Sequence, residues 1–452
     1  MGSTRHVAVL AFPFGSHAAP LLNLVRKLAT VELAATFSFL NTPKSNAFVA
    51  SIAADLPNVR FYDVWDGFED GYVPKGRGPL EAIELFIKAM PGNFREALSK
   101  AVEAAGEVTC VLSDAFIWIA EDMAAEMGVP WVALATAGPA SVTAHLYTDL
   151  LRETFGTGEE AKAKLEEPLS CLPCLLPARV RDLPHEILMA EVNSPFARLL
   201  HGKAAKFPLA KAVVFNSFDG LDPPILNHLK TKLQKCLPVG PFHLTAPLAP
   251  PEPDVHGCLA WLDAAPSPAS VVYVSFGTVM SPPPPELAAL AEGIEASGAR
   301  FLWSLRDAAR GNLPRGFAER TRDRGMVVGW APQTRVLQHP AVGAFVTHCG
   351  WNSMVESVAS GVPMICRPFL GEQMMMSRIL EEVMGVGLAA KDGVLTRDGV
   401  EESLDLILRK PEGKTMREKA EALKQIAEDA VGEGGSSTRN FRTLLKIINP
   451  KA

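Results

Sequence analysis

The stretch "GAFVTHCGWNSMVESVASGVP", Gly343 to Pro363, puts a strand, a turn and a helix in direct succession. Its opening "GAFV" is apolar without polar alternation, the pattern of a strand buried on both faces of a parallel sheet. The run ends at His348. Cys349, Gly350 and Trp351 form the turn, and the helix is expected to begin near Asn352 or Ser353. "PMICRP" then resumes as a strand. A strand that returns through a helix to another strand pairs with it in parallel, so the stretch predicts an α/β fold.

The same alternation fills the rest of the chain. In the first half "HVAVLAF", "ATFSFLN", "VTCVLSD", "VPWVAL" and "AVVFNSF" read as strands, with "AAPLLNLVRKLA" and "AFIWIAEDMAAEMG" as helices between them. In the second half "SVVYVSFGT", "RFLWSL", "GMVVGW" and "GAFVTH" are strands and "PPELAALAEGIEAS" is a helix. Between the halves, "GPFHLTAPLAPPEPDVHG" is rich in proline, lacks periodicity and reads as a linker. A chain of 452 residues exceeds one ordinary core. Two tandem α/β domains are therefore expected, over residues 1–240 and 257–452, with the linker at 241–256. The last helices, roughly 413 to 447, are candidates to cross back to the first domain.

Composition narrows the function. A net charge of -6 argues against nucleic acid, which calls for a basic stripe, and no polybasic membrane patch is present. Seven scattered cysteines make no disulfide framework and suit free thiols in a reducing compartment. "CLPC", Cys171 to Cys174, has redox spacing but lies in a Pro-rich stretch with no strand before it. The N-terminal apolar run is too short for a secretory signal, and no run is long enough to span a membrane. The expectation is a cytoplasmic, monomeric protein.

In open parallel sheets, ligands sit outside the carboxyl ends of the strands. His348 ends one strand, and the helix after it offers unpaired N–H groups and the positive end of a dipole, which attract phosphate. Gly350 permits close backbone approach, and His348, Asn352 and Ser353 add side-chain donors. Ser353-x-x-Glu356 also fits a capping box, which needs no ligand, and Trp351 also suits a core. The flanks favour a ligand. "GWAPQ" puts Trp330, Ala331 and Gln333 at the end of another strand, where the indole can stack on a planar base and the amide can read a base edge or ribose. Glu356 can accept two ribose hydroxyls. Glu372 and Gln373, after a third strand, suit sugar hydroxyls. The implied ligand is a nucleoside diphosphate sugar. In the first half, His17 stands at the first strand-to-helix turn and Asp114 ends "VTCVLSD". Alone, Asp114 reads as the N-cap of the following helix and His17 as a helix cap or a packing residue. If their strands are neighbours, Asp114 can orient His17 as a base.

Trp330 to Gln373, "WAPQTRVLQHPAVGAFVTHCGWNSMVESVASGVPMICRPFLGEQ", resembles the signature box of plant secondary-product (family 1) UDP-glycosyltransferases. "AFPFGSHAAPLL", "DAFIWIAEDMAAEMGVPW", "TAGPAS" and "SVVYVSFGT" extend the resemblance over essentially the whole chain, toward the flavonoid and anthocyanidin 3-O-glucosyltransferases. The resemblance implies a GT-B fold: two Rossmann-like domains with parallel sheets facing across a cleft. It implies that His17 is the catalytic base and Asp114 its orienting partner. It implies that Trp330, Ala331 and Gln333 contact the nucleoside and Glu356 the ribose. His348, Asn352, Ser353 and Thr278 would bind the diphosphate, and Trp351, Glu372, Gln373 and Thr136 would lie at the sugar. Phe12, Phe116, His145, Phe196 and Leu370 would line the acceptor pocket. Most of the family has Asp where this chain has Glu372, while Gln373 is the residue that usually accompanies glucose. The implied reaction is inverting transfer of glucose from UDP-glucose to a hydroxyl, the 3-OH, of a flavonoid or similar phenolic, with no metal or other cofactor. UDP-galactose or another small aglycone is the alternative within that chemistry. A non-catalytic nucleotide-sugar binding protein is the alternative outside it, and would not need His17 or Asp114. A nicotinamide-dependent oxidoreductase would need a G-x-G-x-x-G turn, which "FPFGSHAAP" does not supply.

Overall fold

The computed structural model describes residues 5–69, 72, 79–189, 192–245 and 253–449. The linker expected over 241–256 lies in part outside them. Two parallel sheets are built around central strands that are buried along nearly their whole length. The first contains β1 (Arg5–Leu10), β2 (Ala35–Asn41), β3 (Val59–Asp63), β4 (Cys110–Asp114), β5 (Trp131–Ala135), β6 (Ala212–Phe215) and β7 (Cys236–Pro238), in the order β3-β2-β1-β4-β5-β6-β7. The second contains β8 (Val271–Ser275), β9 (Arg300–Ser304), β10 (Gly325–Val328), β11 (Val342–Thr347), β12 (Met364–Cys366) and β13 (Gly387–Ala389), in the order β10-β9-β8-β11-β12-β13.

The chain divides into two compact units, one around each sheet. The first takes the described residues up to Leu165, those from His185 to Thr245, and those from Ala430 onward. Val7, Val9, Leu112, Val132 and Val214 of its sheet pack against Leu21, Leu24, Val25 and Leu28 of the helix Ala18–Val31. Phe441, Leu444 and Ile448 of the helix Ser436–Ile448 close the same core. The Ser437 hydroxyl donates to the Gly240 carbonyl at 2.6 Å and fixes the start of that helix. In the second unit, Val272, Val274, Phe301, Trp303, Val346 and Ile365 pack against Leu287, Leu290 and Ile294 of the helix Pro284–Ser297.

Two features differ from the sequence expectation. Residues Glu166–Pro184, expected in the first domain, group with the second unit. Buried Asp182 is the anchor: it accepts from Arg378 Nε at 3.1 Å and from the Arg179 backbone N–H at 2.9 Å. The last helices, expected over roughly 413 to 447, are Pro411–Val431 and Ser436–Ile448, separated at Gly432, Gly434 and Gly435. The strands β3, β7 and β13 carried no clear sequence signal. All three are edge strands, half-covered or very short.

Each sheet has one switch point, where the strand order turns back on itself. In the first it falls between β1 and β4, paired from Val7↔Cys110 to Leu10↔Ser113. In the second it falls between β8 and β11, in register at Thr347↔Ser275. Loops leaving neighbouring strands diverge there and leave a crevice at the carboxyl ends. His17 and Asp114 lie at the first of these points, Thr278 and His348 at the second.

Candidate active site

In the first unit, β1 delivers His17 as the residue before the helix Ala18–Val31, and the neighbouring β4 ends on Asp114. The two meet: His17 Nδ1 lies 2.8 Å from Asp114 Oδ2. Asp114 is fully buried, and its other oxygen accepts from the Phe116 backbone N–H at 2.8 Å. An ionised carboxylate is an acceptor only, so Nδ1 carries the proton and Nε2 presents a lone pair. The Thr136 hydroxyl lies 3.0 Å from the same Nδ1 and shares that proton. Thr136, expected at the sugar, thus touches the base itself.

Aromatic rings surround the imidazole. Phe12 and Phe116 stand edge-on to it at 5.0 and 4.5 Å, and Phe196 lies 6.3 Å from Phe116. Sequence reasoning missed three members of this wall. Phe14 and Phe86 pack on Phe12 at 5.3 and 5.8 Å, and the ammonium of Lys203, only 4% exposed, sits 3.8 Å over the Phe116 ring. Phe14 was visible in "AFPFGSH"; Phe86 and Lys203 come from distant helices. His145 is buried in the helix Pro139–Leu146, and among the described residues no ring contact or side-chain hydrogen bond joins it to His17. Burial, and after it the charge of Lys203, holds its imidazole well below the ordinary histidine range.

In the second unit, the turn after β11 is strained: Cys349 has φ 61, uncommon for a side chain with a Cβ. The helix that follows is Trp351–Ser360, with Gly350 as its N-cap and no side-chain cap. The helix therefore begins one or two residues earlier than expected, and the Ser353/Glu356 capping box does not form. Ser353 is the third helical residue. Glycine is required on both sides of His348. A Cβ on Gly350 would lie 2.4 Å from His348 Nε2, and one on Gly277 would lie 3.0 Å from Cε1. The imidazole fills this slot, and its Nδ1 is buried without a hydrogen-bond partner among the described residues. Burial lowers its pKa to about 4, so at neutral pH it is an uncharged N–H donor. Thr278, exposed in the loop after β8, follows Gly277 directly. The backbone N–H groups of a helix start, an orphaned imidazole nitrogen and a hydroxyl converge as a cradle suited to an anion. Asn352 is the second residue of that helix start. Trp351, the first residue of that helix, is buried at 5% exposure.

Trp330, beyond β10, is 46% exposed, a free indole face for a planar base, while Ala331 beside it is buried. Gln333 is an organiser: its amide donates to Ser353 Oγ at 3.0 Å and Glu356 Oε2 at 2.8 Å, and its carbonyl accepts from Tyr273 at 3.3 Å. Gln333 thereby ties the loop after β10 to β8 and to the helix Trp351–Ser360. Glu372 immediately precedes the helix Gln373–Arg378 without a side-chain cap, and the Gln373 carbonyl accepts from the Phe369 and Leu370 N–H groups at 2.8 and 3.2 Å. The Gln373 oxygen is thereby occupied, and only its amide N–H groups can serve a ligand. Leu370 is 46% exposed at the tip of this loop. Among the described residues no three His, Cys, Asp or Glu side chains are grouped to hold a metal ion, and no helix is long and apolar enough to cross a membrane.

Two doubly wound parallel sheets, each with its polar residues at a switch point, define the GT-B class of α/β proteins. The chain belongs to the UDP-glucoronosyl and UDP-glucosyl transferase family, whose model matches residues 84–430. It is 50% identical over 447 residues to the anthocyanidin 3-O-glucosyltransferase of Vitis vinifera, covering 98% of this chain and 97% of that one. It is 48% identical over 448 residues to the flavonol 3-O-glucosyltransferase of Arabidopsis thaliana, with 98% and 97% covered. A crystal structure of a UDP-glucose:anthocyanidin 3-O-glucosyltransferase in complex with UDP superposes with a TM-score of 0.93, at 42% identity and 100% coverage of both chains. The protein is a UDP-dependent glycosyltransferase.

Proposed function

We propose that this enzyme transfers glucose from UDP-glucose to the 3-hydroxyl of a flavonol or anthocyanidin, with inversion, giving a β-O-glucoside and UDP. The observation that carries the reading is the His17–Asp114 pair at 2.8 Å, which leaves His17 Nε2 as a proton acceptor beside an aromatic wall. Nε2 takes the acceptor's hydroxyl proton. The freed oxygen attacks the anomeric carbon from the face opposite the diphosphate, the carbon–oxygen bond to UDP breaks, and Asp114 stabilises the imidazolium. The helix start at Gly350–Trp351 and the neutral His348 donor take up the charge on the departing diphosphate. Phenylalanine faces suit a flat polyphenol, and the named activities of the relatives support that acceptor class.

Charge on the diphosphate is met here by N–H donors, so turnover is expected to persist in EDTA. The enzyme is proposed to act as a monomer in the cytoplasm. UDP-galactose is the second reading, because Glu372 sets its carboxylate one methylene farther out than the family's usual Asp. The test is incubation of UDP-glucose or UDP-galactose with quercetin, cyanidin and unrelated phenols, following UDP release and product mass. A flavonoid 3-O-hexoside formed mainly from UDP-glucose is expected. UDP-sugar binding without product from any phenol would mean a binding protein and overturn the reading.

A further inference from the structure

Arg367, the residue after β12, has no assigned role and opens the loop that ends in Glu372 and Gln373. Its backbone N–H extends the sheet by donating to the Thr347 carbonyl at 2.8 Å. Its guanidinium is gripped in two places by Glu286, Nε to Oε2 at 2.7 Å and Nη2 to Oε1 at 2.6 Å. Both side chains are largely buried, at 11% and 13% exposure. Such a fork-to-fork pair fixes orientation as well as distance. Glu286 belongs to the helix Pro284–Ser297, which the Thr278 loop enters, and its Oε2 also accepts from the Leu395 N–H at 3.0 Å. Burial works against the Glu286 charge, but the Arg367 guanidinium more than offsets it and holds the carboxyl below its usual range.

The grip reaches the sugar-reading loop. Arg367 Nη1 donates to the Pro368 carbonyl, and its guanidinium lies 4.5 Å over the Phe369 ring. Phe369 meets Phe276, the residue before Gly277, edge-on at 5.9 Å. The Phe369 N–H is the donor that Gln373 accepts. One guanidinium therefore sets the path of 368–372 relative to the loop that carries Thr278.

We propose that Arg367, held by Glu286, is a positioning residue for the donor sugar: it places Glu372 and Gln373 and so governs discrimination between UDP-hexoses, while leaving affinity for the nucleotide unchanged. The inference rests on the reading that Glu372 and Gln373 contact the sugar. Lysine supplies the charge without the planar fork, so Arg367→Lys isolates the geometry. Glu286→Gln keeps the shape and removes the charge, and is the second variant in case the first folds poorly. Displacing a reading group by a fraction of an ångström costs on the order of tenfold or more.

The experiment measures Kd for UDP by calorimetry, and kcat/KM for UDP-glucose and UDP-galactose, in wild type, Arg367→Lys, Glu286→Gln and Gln373→Ala. The expected result for the two clamp variants is a UDP Kd within about twofold of wild type. Their kcat/KM for UDP-glucose should fall, and the glucose-to-galactose ratio should shrink, each by about tenfold. If Gln373→Ala changes the ratio and both clamp variants keep it, the clamp inference is overturned while the sugar reading stands. If Gln373→Ala leaves the ratio unchanged, the sugar reading fails and takes the inference with it. Loss of UDP binding in both clamp variants would assign the pair to general architecture and also overturn the proposal.

Discussion

Asp114 stands between two donors, His17 Nδ1–H and the Phe116 backbone N–H, one on each oxygen. An asparagine there can accept from only one of them. It must either abandon the backbone or turn its own N–H toward His17 and force the proton onto Nε2, which removes the base. Asp114→Asn is therefore expected to lower kcat by about 10²–10⁴-fold. His17→Ala should fall as far, because it removes the proton acceptor outright. Neither change touches the residues proposed to hold UDP, so UDP affinity by calorimetry should stay within about twofold. Near-normal turnover of His17→Ala, in the product-mass assay, would sink the base assignment. The pair was legible in the sequence because Asp114 ends an apolar strand and His17 stands at the first strand-to-helix turn. Lys203 over Phe116 was not, since a buried lysine leaves no periodic trace and its contact depends on how a distant helix packs.

One element, the helix Trp351–Ser360, carries two readings that the sequence alone left open. Ser353-x-x-Glu356 has the spacing of a capping box, yet the helix begins at Trp351, so both residues are inside it. Their hydroxyl and carboxylate take the Gln333 amide. The pattern was legible but its meaning was not, because a one-residue shift of a helix start moves every capping position. Ser353→Ala is expected to weaken UDP binding by about tenfold, the worth of one hydrogen bond, with helical circular dichroism unchanged. Gly350→Ala should do more. Its methyl carbon would lie 2.4 Å from His348 Nε2 and must displace the imidazole from its slot. A loss of UDP affinity beyond about tenfold is expected, read by calorimetry. Wild-type UDP affinity in Gly350→Ala would show that His348 is not part of the cradle.

For the whole molecule, both sheets were legible at their centres, where strands such as β8 and β11 are apolar throughout. They were illegible at the edge strands β3, β7 and β13, the last two of only three residues each. Long-range placements escaped as well: nothing local in Glu166–Pro184 says that Asp182 will find Arg378. A second global property follows from burial of neutral histidines. His243 and His348 are both pushed down to about 4 by desolvation, and His145 well below its ordinary range. In the unfolded chain each binds its proton near 6.5. Between pH 6.5 and 4 the unfolded state therefore holds more protons, and stability falls as pH drops through that window. From pH 7 to pH 5, His243 and His348 should each remove roughly 2 kcal/mol. Asp222 acts in the opposite sense. Burial raises its carboxyl to about 6, so the folded state takes that proton first, and about 1 kcal/mol is recovered over the same interval. The net expectation is a loss of at least about 2 kcal/mol between pH 7 and pH 5, measured by urea unfolding at fixed ionic strength. His243→Gln should shallow the slope in the first unit, and Asp222→Asn should steepen it. Stability that is flat or rising from pH 7 to pH 5 would mean that these imidazoles are not held neutral by the fold.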